Sequence, residues 1–169
     1  MKRISKNSGM TIIESLLYLS LLTIMIGSMA LFVNMSIYSR VKGQVIGDVE
    51  YSGSFALDII NYNLKNAESI TTPTIGNSGS SLTLTKFNSD IINFRLNSGK
   101  IEMQINSGTY QAITPEKILV SDLSFRNVAV PLGSNDSVET EFNMNYINNS
   151  GRNEYAFSKY FKSSTSLRL

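Results

Sequence analysis

The 169-residue chain contains no cysteine and no histidine. Without thiols there are no disulfides, no thiolate metal sites and no thiol catalysis. Without imidazole the commonest general base, the usual nucleophile triads and most transition-metal sites go as well. Ionisable groups of any kind are missing from one long region: between Met10 and Ser39 only Glu14, Tyr18 and Tyr38 can titrate. Elsewhere Asp58, Glu68, Asp90 and Glu102 show no pairing that implies acid-base work, and no serine and lysine are spaced as a nucleophile and its base. The sequence therefore reads as a non-enzyme, with no cofactor and no metal site.

Charge is present but nearly balanced. Fifteen basic residues face 13 acidic ones, a formal charge of +2. Lys2, Arg3 and Lys6 all precede Gly9, so loss of a short leader would leave 12 basic against 13 acidic residues, a charge of −1. Neither balance demands nucleic acid or an acidic substrate. With 42% hydrophobic residues the chain has enough apolar side chains for a core, but they are unevenly spread.

The first nine residues, MKRISKNSG, are short, basic and polar, and an apolar run follows at once. Ile12 to Val33 is 22 residues. At a rise of about 1.5 Å per residue, a helix of that length matches the roughly 30 Å hydrocarbon core of a bilayer. Basic residues ahead of the run favour an amino terminus kept in the cytoplasm. Glu14 interrupts the run near its start. A carboxylate at the centre of a membrane helix costs about 2.5 to 3.5 kcal/mol on insertion scales, and less near the interface. On physics alone it either marks the membrane boundary, solvated by headgroups, or serves a purpose within the helix. A cut between Gly9 and Met10 would make Glu14 the fifth residue of a new chain, one turn from a fresh amine. There it complements the positive helix end, and it can pair with the amine of an adjacent copy and so fix the stagger between helices.

The string Gly9-Met10-Thr11-Ile12-Ile13-Glu14, followed by Leu16, Leu17 and Leu19 and preceded by the basic leader, resembles the class III signal of type IV prepilins and pseudopilins. That resemblance implies cleavage after Gly9 by a membrane-embedded prepilin peptidase and methylation of Met10. It also implies that Glu14 guides subunit addition. Met10 stands where the family most often has phenylalanine. The helix-kinking proline and the carboxyl-terminal disulfide of many major pilins are both lacking, which tilts the reading toward a minor pilin or pseudopilin. The implied function is a structural subunit of a type IV filament, type II secretion or competence apparatus. Its implied partners are other pilin or pseudopilin subunits, the prepilin peptidase, an inner-membrane assembly platform and membrane lipid. The chain would cross the cytoplasmic (inner) membrane once, with its head outside the cytoplasm, and enter a surface or periplasmic filament.

Beyond Val33 the helical period persists. Ile37, Val41, Val45, Val49, Ala56, Ile60, Leu64 and Ala67 recur at multiples of three or four, which predicts one helix from about Met10 to about Ser69. Gly43, Gly47 and Gly53 lower its propensity and invite a bend. Thr71 to Ser81 reads as a loop. The period then becomes two: residues 82–87, 92–96, 101–105 and 110–113 alternate between turn signals and predict a four-stranded antiparallel meander, one face on the amphipathic part of the helix. A second group of strands is expected over 117–120, 123–130, 138–147 and 154–164. The expected fold class is α+β and pilin-like: a long N-terminal helix, transmembrane in its first half and amphipathic in its second, packed on a C-terminal antiparallel β-rich head. The divisions are a leader over 1–9, a membrane and filament-core helix over 10–36, its amphipathic continuation over 37–70, and the head over 71–169.

Other readings remain at this stage. Ser28-Met29-Ala30 follows the apolar run as the end of an ordinary secretory signal would, although Glu14 and the length of the run count against it. A single-pass anchored extracytoplasmic binding module, with Glu14 incidental, is the main alternative function. Tyr155, Phe157, Tyr160 and Phe161 interleave with Lys159, Lys162 and Arg168, a pattern that fits nucleic acid but fits a half-buried edge strand better. Asn135, Asp136, Glu139 and Glu141 supply oxygens near one loop, yet alternating glutamates on the wet face of a strand explain them more simply than calcium.

Overall fold

The computed structural model describes residues 11–128 and 136–168. One helix, α1 (Ile12–Lys65), runs for 54 residues and is followed by antiparallel sheets, so the fold is α+β. The chain divides into two compact units, Met1–Arg40 and Val41–Leu169, and α1 contributes to both.

In the first unit α1 is built from Leu, Ile, Met and Ala with no proline, and every described residue from Thr11 to Arg40 is exposed. In the second unit α1 buries one stripe: Val45, Val49, Ser52, Gly53, Ala56, Ile60, Asn63 and Leu64. The spacings of three, four and seven are those of a single helix face. Helix periodicity predicts an end near Ser69, whereas α1 stops at Lys65 and β1 (Ala67–Thr72) begins two residues later. Ala67 satisfies both periods, but its backbone neighbours pair with β3 (Ser81–Lys86), with Ala67 opposite Lys86 and Ile70 opposite Leu84. Cross-strand pairing wins over the helical pattern there.

The first sheet has the order β1-β3-β4-β5-β6, with β4 (Ile91–Asn97), β5 (Lys100–Ile105) and β6 (Gln111–Ala112) forming the expected meander with β3. Asn97 pairs with Lys100 across a two-residue turn, Ser98-Gly99, in which both residues have positive φ, as a type I′ hairpin demands. A Cβ on Gly99 would also lie 2.2 Å from Leu119 Cδ1, so the Leu119 side chain would have to shift as well.

The second sheet has the order β2-β7-β8-β9. Its strand β2 (Ser78–Gly79) lies inside the stretch expected to be a loop and pairs with β7 (Ile118–Val128). Asn127 on β7 is buried and holds that stretch: its N–H donates to Asn77 O (3.0 Å), its carbonyl accepts from Gly76 N–H (2.9 Å), and its Nδ2 donates to Pro73 O (3.0 Å). The expected strands over 117–120 and 123–130 are one strand, because a bulge between Ser121 and Ser124 lets the ladder to β8 (Ser137–Tyr146) continue. Asp122 sits in the bulge at φ 55 and accepts hydrogen bonds from Ser121 Oγ and Asn143 Nδ2, both 3.1 Å. The last strand starts later than its alternation suggests. Asn153–Tyr155 is a 3-10 turn and β9 is Ser158–Ser166.

Both sheets and the buried stripe of α1 share one core, in which Leu82, Leu84, Ile92, Phe94, Ile101, Phe125, Phe142 and Met144 are fully buried against Ala56, Ile60 and Leu64. Closure by β9 is tight. Phe161 stacks on Phe142 (centroids 5.4 Å apart) and its ring lies over Gly53, where a Cβ would come within 2.1 Å of Phe161 Cζ. Asn61 of α1 bonds to Ser163 and Thr165 of β9, and Lys159 reaches Glu50 at 2.6 Å.

Candidate membrane and assembly site

The start of α1 is set by Thr11 and Glu14. Thr11 Oγ1 accepts the Glu14 N–H at 3.3 Å and Thr11 O accepts the Ser15 N–H at 3.1 Å, which makes Thr11 the N-cap and Glu14 the third helical residue. The sequence T-x-x-E is the capping-box signature, a signal that the anchor-centred reading of Glu14 overlooks. A carboxylate in this first turn also meets the positive end of the helix.

The apolar surface behind it is continuous. Among the described residues one helix, α1, is long and apolar enough to cross a membrane, and its most apolar window buries nothing within the molecule. Its hydroxyls are already satisfied: Ser20 Oγ, Thr23 Oγ1 and Ser28 Oγ donate to the carbonyls of Leu17, Ser20 and Met25 at 2.8 to 2.9 Å. Such back-bonding is how small polar residues are tolerated in apolar surroundings. Glu14 is different, because its carboxylate is met by Tyr18 Oη at 3.4 Å, too long for a strong O–H···O bond. Ionised, it retains acceptor capacity for a cationic partner. Gly9 and Met10, the expected cleavage and methylation positions, lie outside the described residues. Helix continues through Ser28, Met29 and Ala30.

The other sequence candidates are absorbed by the head. Glu139 and Glu141 stand on β8 and both grip Lys162, Glu141 at 2.6 Å. The hydrogen bond from Lys162, with a second from Tyr160, holds the Glu141 carboxyl below its usual range, and the two glutamates, Glu139 first, push the Lys162 ammonium up. Asn135 lies outside the described residues, and among those described no group of three or more acidic side chains is placed to hold a metal. Most of the aromatic and basic residues near the carboxyl end are likewise engaged, Arg168 excepted. Phe161 is in the core, Tyr155 stacks on Tyr146, Lys42 sits over Phe157, and Lys159 and Lys162 are in ion pairs. Asp90 is held by Asn106 and Asn88, and Glu102 by Asn97 and Arg95. Those contacts lower both carboxyl pKa values.

These features define an α+β chain with one membrane-competent helix that carries a weakly partnered carboxylate one turn from its start. Comparison with protein-family models, curated proteins and solved structures gives no match.

Proposed function

We propose that the chain is a minor pilin or pseudopilin, a structural subunit of a type IV filament, type II secretion or competence apparatus. In this reading prepilin peptidase cuts after Gly9, Met10 becomes the methylated amino terminus, and α1 first anchors the subunit in the inner membrane and then packs with sibling helices. The pilin-like division of labour is supported by α1 itself, exposed and apolar from Ile12 onward and buried along one stripe from Val45 to Leu64. The observation that carries the proposal is Glu14, whose carboxylate has only a long contact to a neutral phenol. An amine on a neighbouring subunit offers the charge-assisted partner that such a group needs in apolar surroundings.

Mass spectrometry of the protein purified from its membrane is expected to find a chain beginning at a methylated Met10. A chain beginning at Leu31, or one retaining Met1, would overturn the processing step. Glu14→Ala is expected to abolish filament incorporation while membrane insertion and head folding persist. For an anchored binding module the same variant would behave as wild type.

A further inference from the structure

Twelve lysines and arginines lie among the described residues, from Arg40 to Arg168. Six are in ion pairs: Arg95, Lys100, Arg126, Arg152, Lys159 and Lys162. Lys42 donates to the carbonyls of Asn153 and Ala156. The side chains of the other five, Arg40, Lys65, Lys86, Lys117 and Arg168, make no ion pair, hydrogen bond or ring contact with a described residue. Three of those five, Lys65, Lys86 and Arg168, line one cavity of about 420 Å³, together with Asn66, Phe87 and Asn88. Among the described residues no carboxylate lines it.

The convergence follows from the topology. Lys65 ends α1, and the pairing of Ala67 with Lys86 draws the end of β3 beside it. Arg168 follows β9 immediately after Leu167, which is anchored in the core. The turn carrying Phe87 and Asn88 is fixed by Ser89 N–H to Lys86 O and Lys86 N–H to Asp90 O, both 2.9 Å. Asp90 is the acid nearest to Lys86 in effect, but its two oxygens accept from Asn88 Nδ2 (2.6 Å) and Asn106 Nδ2 (2.8 Å), and it makes no ion pair. Phe87 stands 65% exposed on this turn and lines the same cavity. Three cations without an ion pair attract a multiply charged anion, and an exposed aromatic face beside them accepts a planar ring.

We propose that this cavity binds a nucleotide-type ligand, its phosphoryl group held among Lys65, Lys86 and Arg168 and its base stacked on Phe87. The site stands independently of the filament reading. The phosphoryl-plus-base chemistry belongs equally to a free mononucleotide and to a nucleotide within a strand.

The test titrates the full chain in detergent micelles with AMP, ribose 5-phosphate, adenosine and a deoxythymidine decamer. AMP is expected to bind at least about tenfold more tightly than ribose 5-phosphate or adenosine, since each lacks one of the two contacts. Phe87→Ala should bring AMP down to the level of ribose 5-phosphate. Lys86→Glu with Arg168→Glu should cost AMP about a hundredfold, and Lys65→Gln alone a few-fold, with melting temperatures unchanged. Saturable binding of the decamer without AMP, abolished by the same charge reversals, supports the site and assigns it to strands. Failure of both AMP and the decamer to saturate, or binding that survives the charge reversals, overturns the proposal. Equal affinity for AMP and ribose 5-phosphate also overturns it, since a nucleotide site must read the base.

Discussion

Two carboxylates in this chain are handled in opposite ways. Glu102 is surrounded by donors, Asn97 Nδ2 at 3.1 Å and Arg95 through two nitrogens at 2.9 Å, with the Arg95 guanidinium stacked 3.5 Å over Tyr110. The Asn97 bond first, and then the guanidinium, lower its pKa from the ordinary 4.5. A group whose folded pKa is depressed stabilises the fold above its unfolded value, and that contribution is lost as pH falls through the folded one. The melting temperature is therefore expected to drop as pH is lowered below about 4.5, and Glu102→Gln should flatten that acid limb. Thermal melts across pH 2 to 7 check it. Glu14 has no such company, and its usefulness in the proposed assembly lies in that vacancy. Glu14→Gln keeps the shape and the cap geometry but not the charge, so it separates helix capping from pairing. Filament incorporation is expected to fail as fully with Gln as with Ala, measured by shearing and immunoblotting of surface filaments.

Elements are decided by competition between local preference and tertiary contact, and the glycines of α1 show both outcomes. Gly47 has open space where a Cβ would go, so Gly47→Ala should stabilise the head by about 0.5 to 1 kcal/mol through helix propensity alone. Gly53 is covered by the Phe161 ring, and there the same change is expected to destabilise by about 1 to 3 kcal/mol, overpacking outweighing propensity. Denaturant melts of the two variants should move in opposite directions. Much of this architecture was legible beforehand, because periods of 3.6 and 2 mark α1 and the β3 to β6 meander directly. What escaped was set by partners distant in sequence. Ala67 fits a helix stripe until Lys86 claims it, Asp122 breaks an alternation that β8 carries across the bulge, and Ser78-Gly79 becomes a strand only because β7 lies alongside. For the candidate sites, Glu14 stood out by its isolation, whereas Lys65, Lys86 and Arg168 share no spacing and meet only when the head closes.

At the scale of the molecule, the core and the apolar surface of α1 belong to different stretches of chain. Every buried core residue among those described lies between Val45 and Leu167, within the second unit. A chain beginning at Val41 is therefore expected to fold cooperatively and stay soluble without detergent, with near-wild-type far-ultraviolet dichroism per head residue and a single melting transition. The full chain should partition into membranes or micelles. Aggregation of the shortened chain under native conditions would show that the first unit is needed for the fold.

The strand that covers Gly53 is also the last of the described strands to be synthesised. Lys159 meets Glu50 across 109 positions of sequence, and Thr165 meets Asn61 across 104. The flank of the helix around Gly53 thus stays uncovered until β9 has been made, and closure of the head there is a late, long-range event. A message cut short even a dozen codons before Ser166 would yield a product with a bare flank, a substrate for quality-control proteases.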